Sequence, residues 1–310
     1  MKLQYRVRNW SEYNMGLKKR GSLTLWIEES ALEGWLVSSK SKKPGATLYY
    51  SDLAITTMAT LKVVYRLPGR QCQGFLESVF QLMQLELSVP EHSTLSRRLG
   101  RLEIDMPVMP STGARHVVVD STGVKVYGEG EWKTRQHGIS KRRTWRKLHL
   151  GVDEATGEIL GAVVSTNNVH DGEVLGGILM QIDDEIQQVS TDGAYDQSDC
   201  YELIKDRGAE AVIPPRKDAV IWQHGNCKAP PHPRDENLRQ IRKHGRKKWK
   251  KDTGYHRRSI AETTMFRLKV TGGDRVSARK FDNQASELFI RCKVLNRSIQ
   301  VAKPESYAVV

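Results

Sequence analysis

The sequence predicts an α/β fold in which a mixed sheet flanked by helices follows a mainly α-helical N-terminal part. Three observations carry that prediction. Up to about residue 107 the apolar residues recur at helical spacing, whereas from His116 onward short apolar runs alternate as strands do. Between the two, Met106-Pro107 and Met109-Pro110 favour an extended linker, because proline disfavours a helical residue before it. A chain of 310 residues suits one sizeable α/β domain with a smaller module, so the expected domains are 1–107 and 108–310.

In the N-terminal part, Ser51-Asp52 is placed to cap a helix running to about Arg66, which Leu67-Pro68-Gly69 stops. A second helix is expected from Arg70 to about Leu87. A short third helix follows Pro90, with Ser93 as its candidate N-cap and Arg97 and Arg98 a turn later, the arrangement of a DNA-reading helix. An ordinary helical bundle with solvated arginines would give the same pattern.

Beyond His116, the runs HVVVD, Lys147 to Asp153 and Ile159 to Asn167 read as three strands, the second hairpin turning at Thr156-Gly157. A helix from about Gly172 to Ile186, a strand to Asp192, a helix from about Gln197 to Arg207 and the strand AEAVIPP come next. Hairpin-connected strands followed by strand–helix alternation is the order of an RNase H-like core. A basic insertion at about 214–258 then precedes the helix of Glu262, and Asn283 to about Val301 is expected as a last helix covering the sheet.

The net charge is +13, and its placement is informative: Arg216 to Arg258 holds 14 Lys/Arg against 4 Asp/Glu. Such a patch binds phosphates by releasing counterions, which makes nucleic acid the expected partner, with Arg246, Lys247, Lys248, Lys250 and Lys251 as its densest run. There is no run of about 18 apolar residues, no apolar stretch of the signal-peptide kind, and no GxxxxGK[ST] loop, so no membrane and no nucleotide cofactor are expected. Cys72, Cys200, Cys227 and Cys292 are scattered, as in a protein kept reduced in the cytoplasm. His224, Cys227 and His232 lie close in sequence but supply three ligands where a structural zinc site needs four.

Three acids sit in contexts suited to phosphodiester chemistry. Asp120 ends HVVVD, Asp192 ends QQVSTD, and Glu262 lies in YHRRSIAETTMFRLK, which has no proline or glycine. In that segment Tyr255, Arg258, Glu262 and Lys269 fall within roughly 60° of one another at about 100° per residue. In-line attack at phosphorus develops charge on the attacking and leaving oxygens, which two divalent ions about 3.5–4 Å apart stabilise. Carboxylates suit hard Mg²⁺, for which Mn²⁺ substitutes. Asp120 is the choice to bridge both ions, with Asp192 and Glu262 each holding one. Asp153, Asp171, Asp183, Asp184 and Asp196 compete, Asp153 foremost because it too ends a strand.

Tyr255, Arg258, Glu262 and Lys269 resemble the signature of bacterial insertion-sequence transposases of the DDE class, whose triad is two aspartates and a glutamate. VVVDSTGVKVYGEGEW around Asp120 and STDGAYD around Asp192 are similar to the two aspartate boxes, and YRVRNWSEYNMGLKKRGSLTLW to the N-terminal signature, so the resemblance spans nearly the whole chain.

The resemblance implies an N-terminal domain that binds terminal inverted repeats, and a catalytic domain that hydrolyses DNA at the element's end and joins the 3′-hydroxyl to target DNA. It further implies action as a homodimer or larger assembly on DNA, at the bacterial nucleoid. Tyr255, Arg258 and Lys269 are then expected to position DNA. Trp132 and Trp222 are candidates for base stacking, with core packing as the plainer reading. A DNA-binding regulator that no longer cuts, and a nuclease that does not join, are the alternatives.

Overall fold

The computed structural model describes residues 4–38, 48–126, 145–223 and 230–309, which divide into two compact units: Met1–Pro107 with Thr271–Val310, and Val108–Val270.

The first unit is mainly helical. Helix Asp52–Val64 starts where the sequence places it, because the Ser51 hydroxyl accepts the Ala54 N–H at 3.1 Å. Helix Gly69–Leu82 ends five residues short of the expected Leu87, and the chain leaves it through Gln84 at φ +56°. Ile55, Met58, Leu61 and Leu76 are fully buried, as is Trp35, whose indole N–H donates to the Ser88 carbonyl at 2.9 Å.

The C-terminal helix Phe281–Val301 departs from expectation. It does not belong with the sheet: Ile290 and Val294 are buried in the same apolar cluster as Ile55 and Met58, and the Asn283 amide donates to the Ser96 carbonyl at 2.7 Å. Gly100 permits that approach, since a Cβ there would sit 2.3 Å from the Asn283 carboxamide oxygen. Residues 271–310 therefore leave the expected domain 108–310 and group with the helical unit. Helical spacing of apolar residues reveals that a face is buried, but not which surface buries it. Nor does a helical reading foresee that strand β1 (Gln4–Val7) pairs antiparallel with the strand Ser306–Val309.

The third helix, His92–Arg98, has Glu91 rather than Ser93 at its N-cap position and no side-chain cap; the Ser93 hydroxyl instead donates to Glu91 at 3.0 Å. Arg98 is not a solvated reading residue either. It donates to the Tyr50 carbonyl and pairs with Asp52, which ties it to the start of helix Asp52–Val64. Arg97 is exposed and touches Thr94.

The second unit is built on a sheet of β2 (Arg115–Val126), β3 (Trp145–Asp153), β4 (Ile159–Thr166), β5 (Ile186–Ser190) and β6 (Glu210–Val212), in the order β4-β3-β2-β5-β6. β2, β3 and β4 pair antiparallel, while β5 and β6 run parallel to β2. Three antiparallel strands extended by parallel strands on the side of the first is the RNase H-like arrangement. Gly157 turns the β3–β4 hairpin at φ +78°, the conformation for which the Thr156-Gly157 pair argues. The central Val117, Val118 and Val119 are fully buried, and Val117 and Val119 join Leu175, Ile178, Val189 and Ile204 in one apolar layer. The helix expected over 172–186 is shorter, a 3₁₀ turn Asp171–Val174 followed by Leu175–Leu179 containing Gly176 and Gly177, poor helix formers.

The basic insertion is helical over much of its length. It contains two helices, Pro233–His244 and Arg246–Asp252, divided by Gly245 at φ +84°. Trp249 anchors them, buried with its indole N–H on the Asn237 carboxamide oxygen at 3.0 Å. Arg234 pairs with buried Asp196 at 2.7 Å, and Asp235 accepts the Trp222 and Gln223 N–H groups.

No helix among the described residues is long and apolar enough to cross a membrane. Trp132, His224 and Cys227 lie outside the described residues, and with them the test of the zinc cluster; His232 caps helix Pro233–His244.

Candidate active site

Sheet register brings the two aspartates together. Val118 of β2 lies opposite Ser190 of the parallel strand β5, so two residues on along each chain come Asp120 and Asp192. Side chains alternate along a strand, which puts Asp120 on the same face as Val118 and Thr122. Asp120 lies inside β2, not at its end as the sequence suggested. Asp192 begins the 3₁₀ turn Gly193–Tyr195 and caps it by accepting the Ala194 N–H at 2.9 Å.

The third acid arrives on helix Ser259–Gly272. Ala261, Thr264, Met265 and Leu268 form its buried stripe, and the Thr264 hydroxyl donates to the Gly157 carbonyl at 3.3 Å. Glu262 is exposed beside that stripe. Tyr255 and Arg258 precede the helix on a 3₁₀ turn, Tyr255–Arg258, instead of lying on one continuous helix.

Arg258 joins the acids. Its guanidinium donates to Asp120 at 2.7 Å and to Glu262 at 2.9 Å. Burial works against its charge, but Asp120, Tyr255, Glu262 and Asp192 more than offset this and raise its pKa. The pKa of Asp120 is also raised: burial does most of it and the charge of Asp192 adds, against the lowering effects of the Ser121 N–H and Arg258. Lys269 reaches the strand as well, donating to the Thr122 hydroxyl at 2.6 Å. The ring of Tyr255 lies 5.7 Å from that of Trp249, with the Lys250 ammonium 5.0 Å above it. Burial raises the Tyr255 pKa, and Arg258 and the two aspartates also act on it.

Asp120, Asp192, Glu262, Tyr255, Arg258 and Lys269 thus lie in one neighbourhood. The acids do not form a ready cage: among the described residues no group of three or more His, Cys, Asp or Glu is arranged to hold a metal ion. The reason is visible, since the Arg258 guanidinium stands between Asp120 and Glu262 and supplies the positive charge they face.

Other expected residues fall elsewhere. Lys247, Lys248 and Lys251 are exposed on helix Arg246–Asp252, whereas Arg246 donates to the Pro215 carbonyl at 2.8 Å and Lys250 caps the Tyr255 ring. Trp222 is exposed yet partnered, with the Arg234 guanidinium 3.9 Å from its ring centre and Tyr201 and His232 edge-on to it. Asp153 is locked by Arg115 at 2.7 Å and Asp196 by Arg234. Two neighbours of the site escaped the sequence reading, Ser121 and Lys147. A signal was available: Lys147 and His149 alternate with Leu148 and Leu150 in WRKLHLGVD, marking two polar residues on one sheet face.

Profiles described as "Transposase DDE domain" match the chain twice, over residues 18–129 and over residues 111–297. Among solved structures, the chain is similar to one of a piggyBac transposase synaptic complex with hairpin DNA. The identity is 10%, the match covers 96% of this chain and 77% of that one, and the TM-score is 0.38, too low to bear on fold or function.

Proposed function

Because the chain belongs to the transposase DDE domain family, we propose that it binds the ends of a mobile DNA element, cuts there by phosphodiester hydrolysis and joins the freed 3′-hydroxyl to target DNA. The observation that carries this reading is the gathering of Asp120, Asp192 and Glu262, from strand β2, the turn after β5 and a helix, about the Arg258 guanidinium. The donor set fits a hard divalent cation: three carboxylates, two of them already sharing one cationic partner. Held by Asp120, Asp192 and Glu262, two Mg²⁺ ions would stabilise the charge on the attacking and leaving oxygens.

The chain's own cations supply the rest. Arg258 has the planar fork that grips a phosphate through two hydrogen bonds, and Lys269 adds a point charge from helix Ser259–Gly272. Tyr255 packs between Trp249 and Lys250 and steadies Arg258. End recognition falls to the helical unit, with exposed Arg97 among its contacts. A regulator that no longer cuts has no use for three converging acids, so the active enzyme is the better reading.

The test is nicking of a duplex that spans the boundary of the element carrying this reading frame. Nicks confined to the boundary and dependent on Mg²⁺ are expected. Equal cutting in excess EDTA would overturn the reading.

The basic helices carry a separate expectation. Replacing Lys247, Lys248 and Lys251 with glutamine leaves the Trp249 anchor intact and removes exposed charge only. Affinity for all DNA sequences should fall alike, and the slope of log affinity against log salt should flatten by about 0.9 for each phosphate that is no longer neutralised. Fluorescence anisotropy across a salt series measures this, and an unchanged slope would show that these lysines are merely solvated.

A further inference from the structure

The sheet face opposite Asp120 carries a polar cluster in an otherwise apolar layer. In the β2–β3 register Ser121 lies across from His149 and Gly123 from Lys147, so Ser121, His149 and Lys147 share the face that Val117 and Val119 fill with apolar contacts. Asp171, at the start of the 3₁₀ turn after β4, points into this group. Its carboxylate accepts the Ser121 hydroxyl at 2.9 Å and the Lys147 ammonium at 2.8 Å. The turn itself is fixed by Glu173, which accepts the His170 N–H at 3.1 Å.

We propose that Asp171 is a positioning residue for Asp120, acting through Ser121, with Lys147 holding Asp171 in place; the inference rests on the reading of Asp120 as a metal-binding acid. The connection is continuous. Lys147 grips Asp171, Asp171 grips the Ser121 side chain, and the Ser121 backbone N–H donates to Asp120 at 2.8 Å. That last bond occupies one carboxylate oxygen of Asp120 and leaves the other turned toward Arg258. Anchoring Ser121 therefore fixes which way the Asp120 carboxylate faces. Lys147 also balances the charge of Asp171, so the loss of Asp171 alone would leave its ammonium with the Val169 carbonyl and no counter-charge near the site.

A second observation points the same way. Two of the three buried polar side-chain atoms that lack a hydrogen-bond partner among the described residues belong to this cluster, the Nδ1 of His149 and the hydroxyl of Tyr195. The His149 Nδ1 lies 3.9 Å from Asp171. The Tyr195 hydroxyl is under the influence of Asp171, Asp192 and Asp120 together. Apolar side chains would fill this layer without stranding polar atoms, so packing alone does not account for the cluster.

The experiment is Mn²⁺ binding to the full chain, followed by the electron paramagnetic resonance signal of free Mn²⁺. Asp120→Ala establishes which binding belongs to the site. Asp171→Asn and Ser121→Ala should each weaken that binding, Asp171→Asn by about tenfold or more, as changes to groups that orient a metal ligand do. Lys147→Met combined with Asp171→Asn removes the unpaired charge and should recover part of the loss. Asp153→Asn, which breaks a different buried ion pair, should leave Mn²⁺ affinity within about twofold. If Asp171→Asn fails to fold, Ser121→Ala decides, since it deletes only the link. Parental affinity in folded Asp171→Asn or Ser121→Ala overturns the inference while sparing the metal site. Absence of any Asp120-dependent Mn²⁺ binding in the parent overturns both.

Discussion

Asp120→Ala, Asp192→Ala and Glu262→Ala should each lower Mg²⁺-dependent nicking by a factor on the order of 10³ or more, because in the proposed two-ion chemistry each carboxylate would carry several kcal/mol of transition-state stabilisation. Binding of element ends in a gel-shift should change little, since the exposed cations of helix Arg246–Asp252 and of the helical unit are untouched. The three variants are not equivalent in structure. Asp120→Ala leaves the half-buried Arg258 with Glu262 and without its strand partner, whereas Glu262 is exposed and its loss disturbs little else. Asp192→Ala also removes the cap of the Gly193–Tyr195 turn, so its thermal stability should be measured alongside. A variant that is folded and binds DNA yet nicks at the parental rate would remove that residue from the site.

Asp153→Ala should do the opposite, destabilising the α/β unit while sparing the chemistry. Asp153 and Arg115 are both buried and meet at 2.7 Å; the carboxylate also accepts the Ala155 N–H and the Thr156 hydroxyl in the β3–β4 turn. Removing one partner of a buried pair leaves the other uncompensated and costs roughly 3–5 kcal/mol. In this case Arg115 keeps Asp184 and the Met109 carbonyl, so the lower end of that range is expected. Urea unfolding followed by tryptophan fluorescence measures the shift. Below the unfolding transition, nicking should stay within a few-fold of the parent. Parental stability with abolished nicking would instead make Asp153 a member of the site.

Much of this was legible in the sequence, for identifiable reasons. The β-branched valine run before Asp120 favours a buried strand, the Thr156-Gly157 pair favours a turn at positive φ, and Glu262 lies in a segment free of helix breakers. These are local signals, and local physics fixed those elements. What was not legible depends on partners distant in sequence. The apolar stripe of Phe281–Val301 would suit a sheet or a bundle equally, and only Ile290 and Val294 meeting Ile55 and Met58 decides for the bundle. Arg98 reads as a solvated cation until Asp52, far away in sequence, pairs with it. The basic run shows little but its charge in the sequence, which masks the anchors Trp249 and Asp235. Within the site, spacing put Tyr255, Arg258, Glu262 and Lys269 on one helical stripe, whereas Tyr255 and Arg258 lie on a 3₁₀ turn ahead of that helix, and Arg258 bridging Asp120 and Glu262 required the tertiary fold.

The placing of residues 271–310 also decides how the helical unit must be made. A fragment ending at residue 107 lacks the helix that completes its core, so recognition has to be measured on the full chain.

Joining separates a transposase from a nuclease of the same fold, and it is measured by supplying the full chain with a pre-cut element end bearing a free 3′-hydroxyl, a supercoiled target plasmid and Mg²⁺. Covalent linkage of the end to the plasmid is expected, absent in Asp120→Ala and absent when the 3′-hydroxyl is replaced by hydrogen. Mg²⁺-dependent nicking of the plasmid with no end ever joined to it would contradict the account.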